Sequence, residues 1–200
     1  DPSPKRVGDL IARDPALTTR VLRLSNSAFF RVSRKIGNAD EAVALLGMTH
    51  VRSLVMAAAL GASFKNIPGM DLKQFWRYSL RVADISRSLA GILRQNEGNA
   101  FTAGLIHCIG ELIMHIAMPD EMMPIDLITS PLDLRRGIAE HNAFGYTYAD
   151  VSAGMVEKWQ FPREMVSALR HQIAPFEGEH YDTLGGIIQD RKSTRLNSSH

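Results

Sequence analysis

The chain of 200 residues has little cysteine, little net charge and no long hydrophobic run. Its single cysteine, Cys108, excludes an internal disulfide framework. A formal net charge of +2 gives no strong electrostatic attraction to nucleic acid, because nucleic-acid binders usually concentrate lysine and arginine on one face. The longest apolar run, around Leu54 to Leu60, is far below the roughly 20 residues that span a bilayer. We therefore expect a cytoplasmic protein that binds neither nucleic acid nor membranes.

The basic residues are scattered along the chain, apart from two small groups. One group comprises Arg31, Arg34 and Lys35, and the other is the pair Arg135–Arg136. Charged side chains are almost never fully buried unless they are paired. We therefore interpret both groups as solvated faces.

Strand patterns are also missing, because no run of four to eight residues alternates apolar and polar side chains convincingly. Helical spacing is present instead, with steps of three and four between apolar residues. One such stripe predicts a helix over about residues 72–95, and it contains Phe75, Tyr78, Val82, Ile85, Leu89 and Ile92. A second stripe predicts a single helix over about residues 100–117, and it contains Phe101, Leu105, Ile109, Leu112 and Ile116. We expect these two helices to pack together at the centre of a compact all-α bundle.

Helix starts can be recognised at three further places. Asp14–Pro15 and Asp71 have the residue types that favour a helix N-terminus. Thr147 and Asp150 have the spacing of a capping box. We expect the helices after this box to bury Val151, Met155 and Trp159, and then Met165, Leu169 and Ile173. The joints between helices are short, which favours a compact multi-helix bundle.

Composition changes abruptly near the end of the chain. Residues 191–200 contain one apolar residue and no periodicity, so we expect a disordered or non-native tail there. The chain begins directly on a helix-start signal, Ser3-Pro4, and we expect it to lack its natural N-terminal start. The prediction is therefore one helical domain over residues 1–190.

One local motif resembles a known metal-binding segment. Gly104-Leu105-Ile106-His107-Cys108-Ile109-Gly110 is similar to the Gly-Leu-Leu-His-Asp-Ile-Gly segment of the HD superfamily of metal-dependent phosphohydrolases. In that family the adjacent His and Asp both bind the metal. The resemblance places Cys108 where the family has Asp, and a thiolate is a poor substitute for a carboxylate with Mg or Mn.

The resemblance extends along most of the chain and points to the HDOD branch of this superfamily. The similar segments are residues 10–28, 41–52, 75–83 and 140–172, in the order in which HDOD domains have them. This resemblance implies an HD-like all-α fold and a role in bacterial signal transduction. It also implies possible partners, namely signalling proteins or domains of the receiver or cyclic-dinucleotide type.

The chain departs from the HD pattern at the positions that bind metal. The resemblance places Tyr78 and Tyr148 where the family has His, and it places His171 and Gln172 at a terminal His-His pair. Fewer than three of the expected ligands remain, although a divalent site usually needs at least three from the protein. We therefore predict a pseudo-enzyme without metal or cofactor. Its vestigial pocket would comprise Tyr78, Arg81, His107, Cys108, Tyr148 and His171.

Other interpretations of the same residues stay open at this point. A residual metal-dependent phosphohydrolase could act on nucleotides or cyclic dinucleotides. A sensor could bind a phosphate-bearing molecule through Arg77, Arg81 or His107. The spacing of His107, Glu111 and His115 could offer a metal pair on one helix face, although such spacing is common by chance. We favour a non-catalytic regulatory module that acts through protein or small-ligand binding.

Overall fold

The computed structural model describes residues 3–13, 15–26, 35–63, 67–159, 161–175 and 182–193. Every regular element within these ranges is an α-helix, which confirms the predicted all-α class. The helices form two compact units, Asp1–Lys65 and Asn66–His200. The single domain over residues 1–190 stays a prediction.

In the described part of the first unit, three helices surround an aliphatic core. These are α1 (Pro4–Ala12), α2 (Pro15–Ser25) and α3 (Ala39–Ser63). Ser3 caps α1 by accepting a hydrogen bond from the Arg6 amide, and Pro15 is the first residue of α2, as predicted. Asp14, Arg31 and Arg34 lie outside the described residues. The core of this unit includes Ile11, Val21, Ile36, Ala42, Val43 and Val51.

Two local features shape this unit. Gly47 divides α3, because its φ of 79° and ψ of 160° are not helical and its positive φ favours glycine. Beyond the end of α2, the Asn26 side chain accepts from the Ile36 amide and donates to the Ile36 carbonyl, both at 2.7 Å. Asn26 therefore fixes the chain near the start of α3, which is a structural role.

The second unit contains the remaining helices. In chain order they are α4 (Leu72–Ile92), α5 (Glu97–Ile106), α6 (Ile109–Ala117), α7 (Pro119–Ile128), α8 (Arg136–Phe144), α9 (Tyr148–Lys158), α10 (Arg163–His171) and α11 (Thr183–Ser193). Asp71 caps α4 by accepting from the Gln74 amide, as predicted. Gly104 lets α5 lie directly against α4, because a Cβ there would be 2.8 Å from the Ala83 Cα. Helix α11 ends at Ser193, inside the segment for which the sequence predicts a tail.

The predicted helix over residues 100–117 is wrong in one respect, because it is two helices. The chain leaves helical geometry at Cys108, with φ of −102° and ψ of 15°, and α6 begins at Ile109. Apolar residues continue on both sides of this turn, so the hydrophobic stripe conceals it. Three stripe residues are also less buried than expected, since Ile85, Ile92 and Ile116 are 38 %, 75 % and 49 % exposed.

The capping box at Thr147 and Asp150 is confirmed, with both reciprocal hydrogen bonds present. The predicted inward face of α9 is wrong, however, since Val151, Met155 and Trp159 are only half-buried. The buried face instead carries Tyr148, Ala149, Ser152, Ala153 and Val156. Small residues on this face allow the close contact with α6 that is described below. On α10, Met165 and Leu169 are buried as predicted.

One stretch of the described residues, Glu97–Ala117, is apolar enough to cross a membrane by length and composition alone. Most of this stretch, 83 %, is buried inside the protein. It includes α5, α6 and the turn between them. Its hydrophobicity is thus explained by its position in the core of the second unit.

Candidate functional site

Four of the six predicted pocket residues lie together in the core of the second unit. Tyr78 comes from α4, His107 and Cys108 from the turn between α5 and α6, and Tyr148 from the start of α9. All four are buried. The rings of Tyr78 and His107 are in contact, with 5.5 Å between their centroids. We call Tyr78, His107, Cys108 and Tyr148 the aromatic pocket.

The Tyr148 phenol is held in its neutral form. Burial is the main cause that raises its pKa well above the ordinary value, and the neighbouring Cys108 and Tyr78 raise this pKa further. A neutral phenol is a weak ligand for a divalent cation compared with an imidazole or a carboxylate.

Hydrogen bonds from the ring and the backbone of His107 tie this residue to three helices. The ring Nδ1 donates to the Gly104 carbonyl at 2.7 Å, while the Ser152 hydroxyl donates to the His107 carbonyl at 3.1 Å. The same hydroxyl accepts from the Gly110 amide at 2.9 Å, which joins α9 to the first turn of α6. Gln172 also donates to the His107 carbonyl, at 2.9 Å. The turn at the pocket is therefore held by side chains from α9 and from the end of α10.

The sequence predicts that His171 contacts the pocket, but the residue at the end of α10 that does so is its neighbour Gln172. Its side chain is fully buried, and its Nε2 donates to the carbonyls of both His107 and Leu169. His171 is 48 % exposed and lies near Ser167 and Asp182 instead. Arg81 is on the exposed side of α4. The structure thus brings neither Arg81 nor His171 into the buried pocket.

A second buried cluster adjoins the aromatic pocket and carries full charges. Arg136 at the start of α8 is completely buried, and its guanidinium donates to Glu111 at 3.0 and 3.3 Å. It also contacts Glu140 at 3.1 Å and Asp126 at 2.8 Å. A further donor reaches the Thr129 carbonyl at 2.7 Å. These residues together with His115 form the Arg136 network.

His115 contacts two acidic residues of this network, Glu111 and Asp126. Its Nδ1 donates to the Glu111 carbonyl at 2.7 Å, and its Nε2 lies 3.1 and 3.2 Å from the two carboxylate oxygens of Asp126. Glu140 links the network to the aromatic pocket, because it accepts from the Tyr148 amide at 2.6 Å. The network therefore joins α6, α7, α8 and the start of α9.

The carboxyl of Glu111 is the least favourable charge in this network. Burial raises its pKa well above the ordinary value of 4.5, and repulsion from Glu140 adds to this, while Arg136 partly offsets both effects. Burial disfavours the charged form of Arg136 too, yet the carboxylates of Glu111, Asp126 and Glu140 raise its pKa. The guanidinium therefore stays charged and neutralises its surroundings.

The interpretation of Arg135–Arg136 as a solvated face is wrong for one of the two residues. Arg135 is 78 % exposed, whereas Arg136 is fully buried by its three acidic partners. One sequence signal of this buried ion pair was Glu140, four residues after Arg136, because residues at that spacing share a helix face. The acidic residue Glu111 within an otherwise apolar helix was another. Lys35, in the other basic group, is exposed as expected.

The aromatic pocket does not fit the divalent metal that the HD resemblance implies. Two buried phenols and a thiol lie where the resemblance expects imidazoles and a carboxylate, and burial holds the Tyr148 phenol in its neutral form. Glu111 and His115 are likewise turned to the Arg136 guanidinium and to Asp126. Among the residues that the structure describes, no group of three His, Cys, Asp or Glu side chains could hold a metal ion.

The helical fold and this site define an HD-like domain, and comparison with known proteins identifies its family. The family model of the HDOD domain matches residues 1–175, which include parts of both compact units. The chain belongs to the HDOD domain family.

Solved structures agree with this membership. A structure named “Putative phosphohydrolase”, from Shewanella amazonensis SB2B, is 32 % identical with a TM-score of 0.84, covering 98 % of this chain and 71 % of that one. An HDOD domain protein with unknown function from Geobacter sulfurreducens is 23 % identical with a TM-score of 0.73, covering 99 % and 67 %. The second likeness supports the fold alone.

A curated relative is longer than this chain. An uncharacterized protein of Treponema pallidum (strain Nichols) is 24 % identical over 178 residues, which cover 88 % of this chain. The chain spans about a third (34 %) of that relative's length.

Proposed function

We propose that this chain is a non-catalytic regulatory module of bacterial signal transduction, which acts in the cytoplasm by binding proteins or a small ligand. The observation that carries the proposal is the content of the aromatic pocket. Where the HD resemblance expects metal ligands, the chain has Tyr78, Cys108 and Tyr148, which are buried. The Tyr148 amide is linked through Glu140 to an internal cation, Arg136. Such a site stabilises the fold without offering open coordination positions.

The chemistry of the surrounding residues supports the same conclusion. HD-type hydrolysis needs a metal that activates water and neutralises developing phosphoryl charge. Gln172 has no basic atom, and both of its described hydrogen bonds are donated by its amide to backbone carbonyls. Glu111 is buried and contacts Arg136, so it is not presented to a substrate. None of these groups is suited to act as a general base.

The names of structural relatives favour a signalling context. A Marinobacter aquaeolei VT8 structure named “Putative signal transduction protein” has a TM-score of 0.78 at 21 % identity, and the MmoQ response regulator of Methylococcus capsulatus has one of 0.58 at 22 %. The chain covers 46 % and 81 % of these two proteins. By analogy, receiver or cyclic-dinucleotide domains are the partners that we propose.

A metal-dependent phosphohydrolase is the alternative, favoured by the name of the 32 % identical Shewanella protein. Elemental analysis of protein purified without chelators, followed by turnover assays with Mn or Mg on cyclic dinucleotides and generic phosphoesters, decides between the two. We expect no stoichiometric metal and no turnover. About one equivalent of metal, with activity lost in His107→Ala and retained in the half-exposed control His171→Ala, would establish the hydrolase instead.

A further inference from the structure

Helix α4 has an exposed face on which basic and apolar residues are separated along the helix. Lys73, Arg77 and Arg81 follow each other at intervals of four, so they lie on one side over about 12 Å. None of them forms an ion pair with a described acidic residue. The same face continues with Ile85, 38 % exposed, and Ile92, 75 % exposed.

Like charges at intervals of four destabilise a helix by a small amount. A basic stripe with no described acidic partner therefore destabilises the isolated chain slightly. A partner that carries carboxylates would relieve this repulsion. Exposed Ile85 and Ile92 add an apolar contact at the other end of the face. The occupant of the α4 face should thus be acidic at one end and apolar at the other.

Helix α7 has an exposed face with this complementary order. Its first turn carries exposed Asp120 and Glu121, and neither pairs with a described basic residue. Met123, Leu127 and Ile128 follow, with 60 %, 86 % and 72 % of their surface exposed. The opposite side of α7 is buried through Met122 and Ile125, so the outward side has no covering element of its own.

We propose that the α4 face of one copy of this chain binds the α7 face of a second copy. A parallel alignment of the two helices with Ile85 opposite Met123 places Arg81 about 2 Å along the axis from Asp120 and Ile92 about 3 Å beyond Ile128. Arg77 then lies about 8 Å before Asp120, a distance that its extended side chain can span.

Self-association follows from the presence of both faces on one chain. In a two-fold dimer, the α4 face of each copy meets the α7 face of the other, so the contact is made twice. Both faces of each copy are then covered, whereas an open chain of copies would leave one face uncovered at each end. Opposite charges set the register of the helices, while the exposed isoleucine and leucine side chains contribute the apolar burial.

The test uses paired charge reversals in the 200-residue chain, with association measured by analytical ultracentrifugation over a range of concentrations. The variants Arg77→Glu/Arg81→Glu and Asp120→Lys/Glu121→Lys should each dissociate about 10-fold or more readily than the unmodified chain. The control Lys158→Glu/Arg163→Glu makes the same charge change as the first variant at exposed positions on α9 and α10, and it should leave association unchanged.

Mixing the two reversed variants separates this pairing from any other mode of association. A mixed dimer contains one native contact and one with both charges exchanged, so an equimolar mixture should associate as the unmodified chain does. The chain that carries all four substitutions should also dimerise. A mixture that stays monomeric, although both variants show native helical spectra, would overturn the proposal, and so would an unmodified chain that is monomeric up to about 1 mM.

Disulfide cross-linking tests the same contact without reversing any charge, so it remains informative if a charge-reversed variant does not fold. Ile92→Cys/Leu127→Cys places a thiol on each face, and an added oxidant should link two chains into a covalent dimer. The control Ile92→Cys/Lys158→Cys should yield markedly less of this dimer. Equal yields from the two would contradict the proposed contact.

Discussion

The aromatic pocket and the Arg136 network are neighbours in the same unit, yet they handle buried polarity in opposite ways. The aromatic pocket contains the Tyr148 phenol, which stays neutral because burial raises its pKa well above the ordinary value. The Arg136 network buries a permanent cation and surrounds it with Glu111, Asp126 and Glu140. The aromatic pocket keeps the Tyr148 phenol uncharged, whereas the Arg136 network compensates a buried cation with acidic side chains.

The two regions should therefore tolerate substitution differently. A neutral pocket loses packing or one hydrogen bond when a side chain is changed, which costs about 1 to 3 kcal/mol. A charge network loses more, because the partners of the missing residue stay buried without compensation.

Removing the cation should have the largest effect. Arg136→Met leaves three carboxylates next to each other, and we expect a loss of about 3 to 5 kcal/mol in the free energy of unfolding. Denaturant titration at pH 7 measures this loss. The neighbouring control Arg135→Met, at an exposed side chain, should leave the midpoint almost unchanged. Equal effects at the two positions would mean that the burial of Arg136 is not what matters.

The sequence predicts that Leu112 and Ile85 both lie on buried helix faces, but the structure buries only Leu112 fully. Substituting each of them measures the contribution of apolar packing, for comparison with that of the charge network. Leu112 is fully buried, so Leu112→Ala should cost about 2 to 5 kcal/mol. Ile85 is 38 % exposed, so Ile85→Ala should cost less than about half of that. Thermal and denaturant unfolding of both variants give the comparison. A larger loss for Ile85 would contradict the observed orientation of α4.

Placing a charge in the aromatic pocket tests whether this region excludes it. Cys108→Asp restores the residue type of the HD motif, but it adds a buried carboxylate with no cation aimed at it. We expect a loss of roughly 2 to 4 kcal/mol at pH 7, with recovery on acidification as the carboxyl becomes neutral. Cys108→Asn has nearly the same shape without the charge and is the matched control. Stabilisation of Cys108→Asp by added Mn would indicate a surviving metal site.

The raised pKa of Glu111 predicts a pH dependence of the free energy of unfolding, and this is the smallest of the expected effects. Burial and Glu140 raise this pKa in the folded protein, so between pH 4.5 and the raised value the folded chain keeps a proton that the unfolded chain has lost. The contribution to stability is therefore complete below pH 4.5 and declines as pH rises to the folded pKa. Glu111→Gln should remove a decline of roughly 1 kcal/mol per pH unit. Parallel pH profiles for the two proteins would show that Glu111 does not titrate in this way.

Local signals in the sequence predicted much of the fold. Asp71 and the Thr147–Asp150 box were identified because a cap depends on a few adjacent residues. The turn at His107 and Cys108 was missed because apolar residues continue through it. Its cause is tertiary, since Ser152 and Gln172 bind the backbone of His107 from distant helices.

The candidate site was predictable only in part for the same reason. Resemblance to a motif located Tyr78, His107, Cys108 and Tyr148, and the structure brings these four together. It could not decide between adjacent residues such as His171 and Gln172, because that choice depends on where α10 ends. The Arg136 network was missed because the Arg135–Arg136 pair is typical of a surface, and Glu111, which the guanidinium contacts, lies 25 residues away in sequence.

The Ser152 hydroxyl has a consequence for amide hydrogen exchange. Gly110 lies in the first turn of α6, where backbone amides have no partner within the helix and usually exchange quickly with solvent. Here the Gly110 amide donates to Ser152 on α9, so its proton can exchange only when the two helices separate. This single amide should therefore exchange as slowly as the helix interior. Its exchange rate would report the opening of the α6–α9 contact directly.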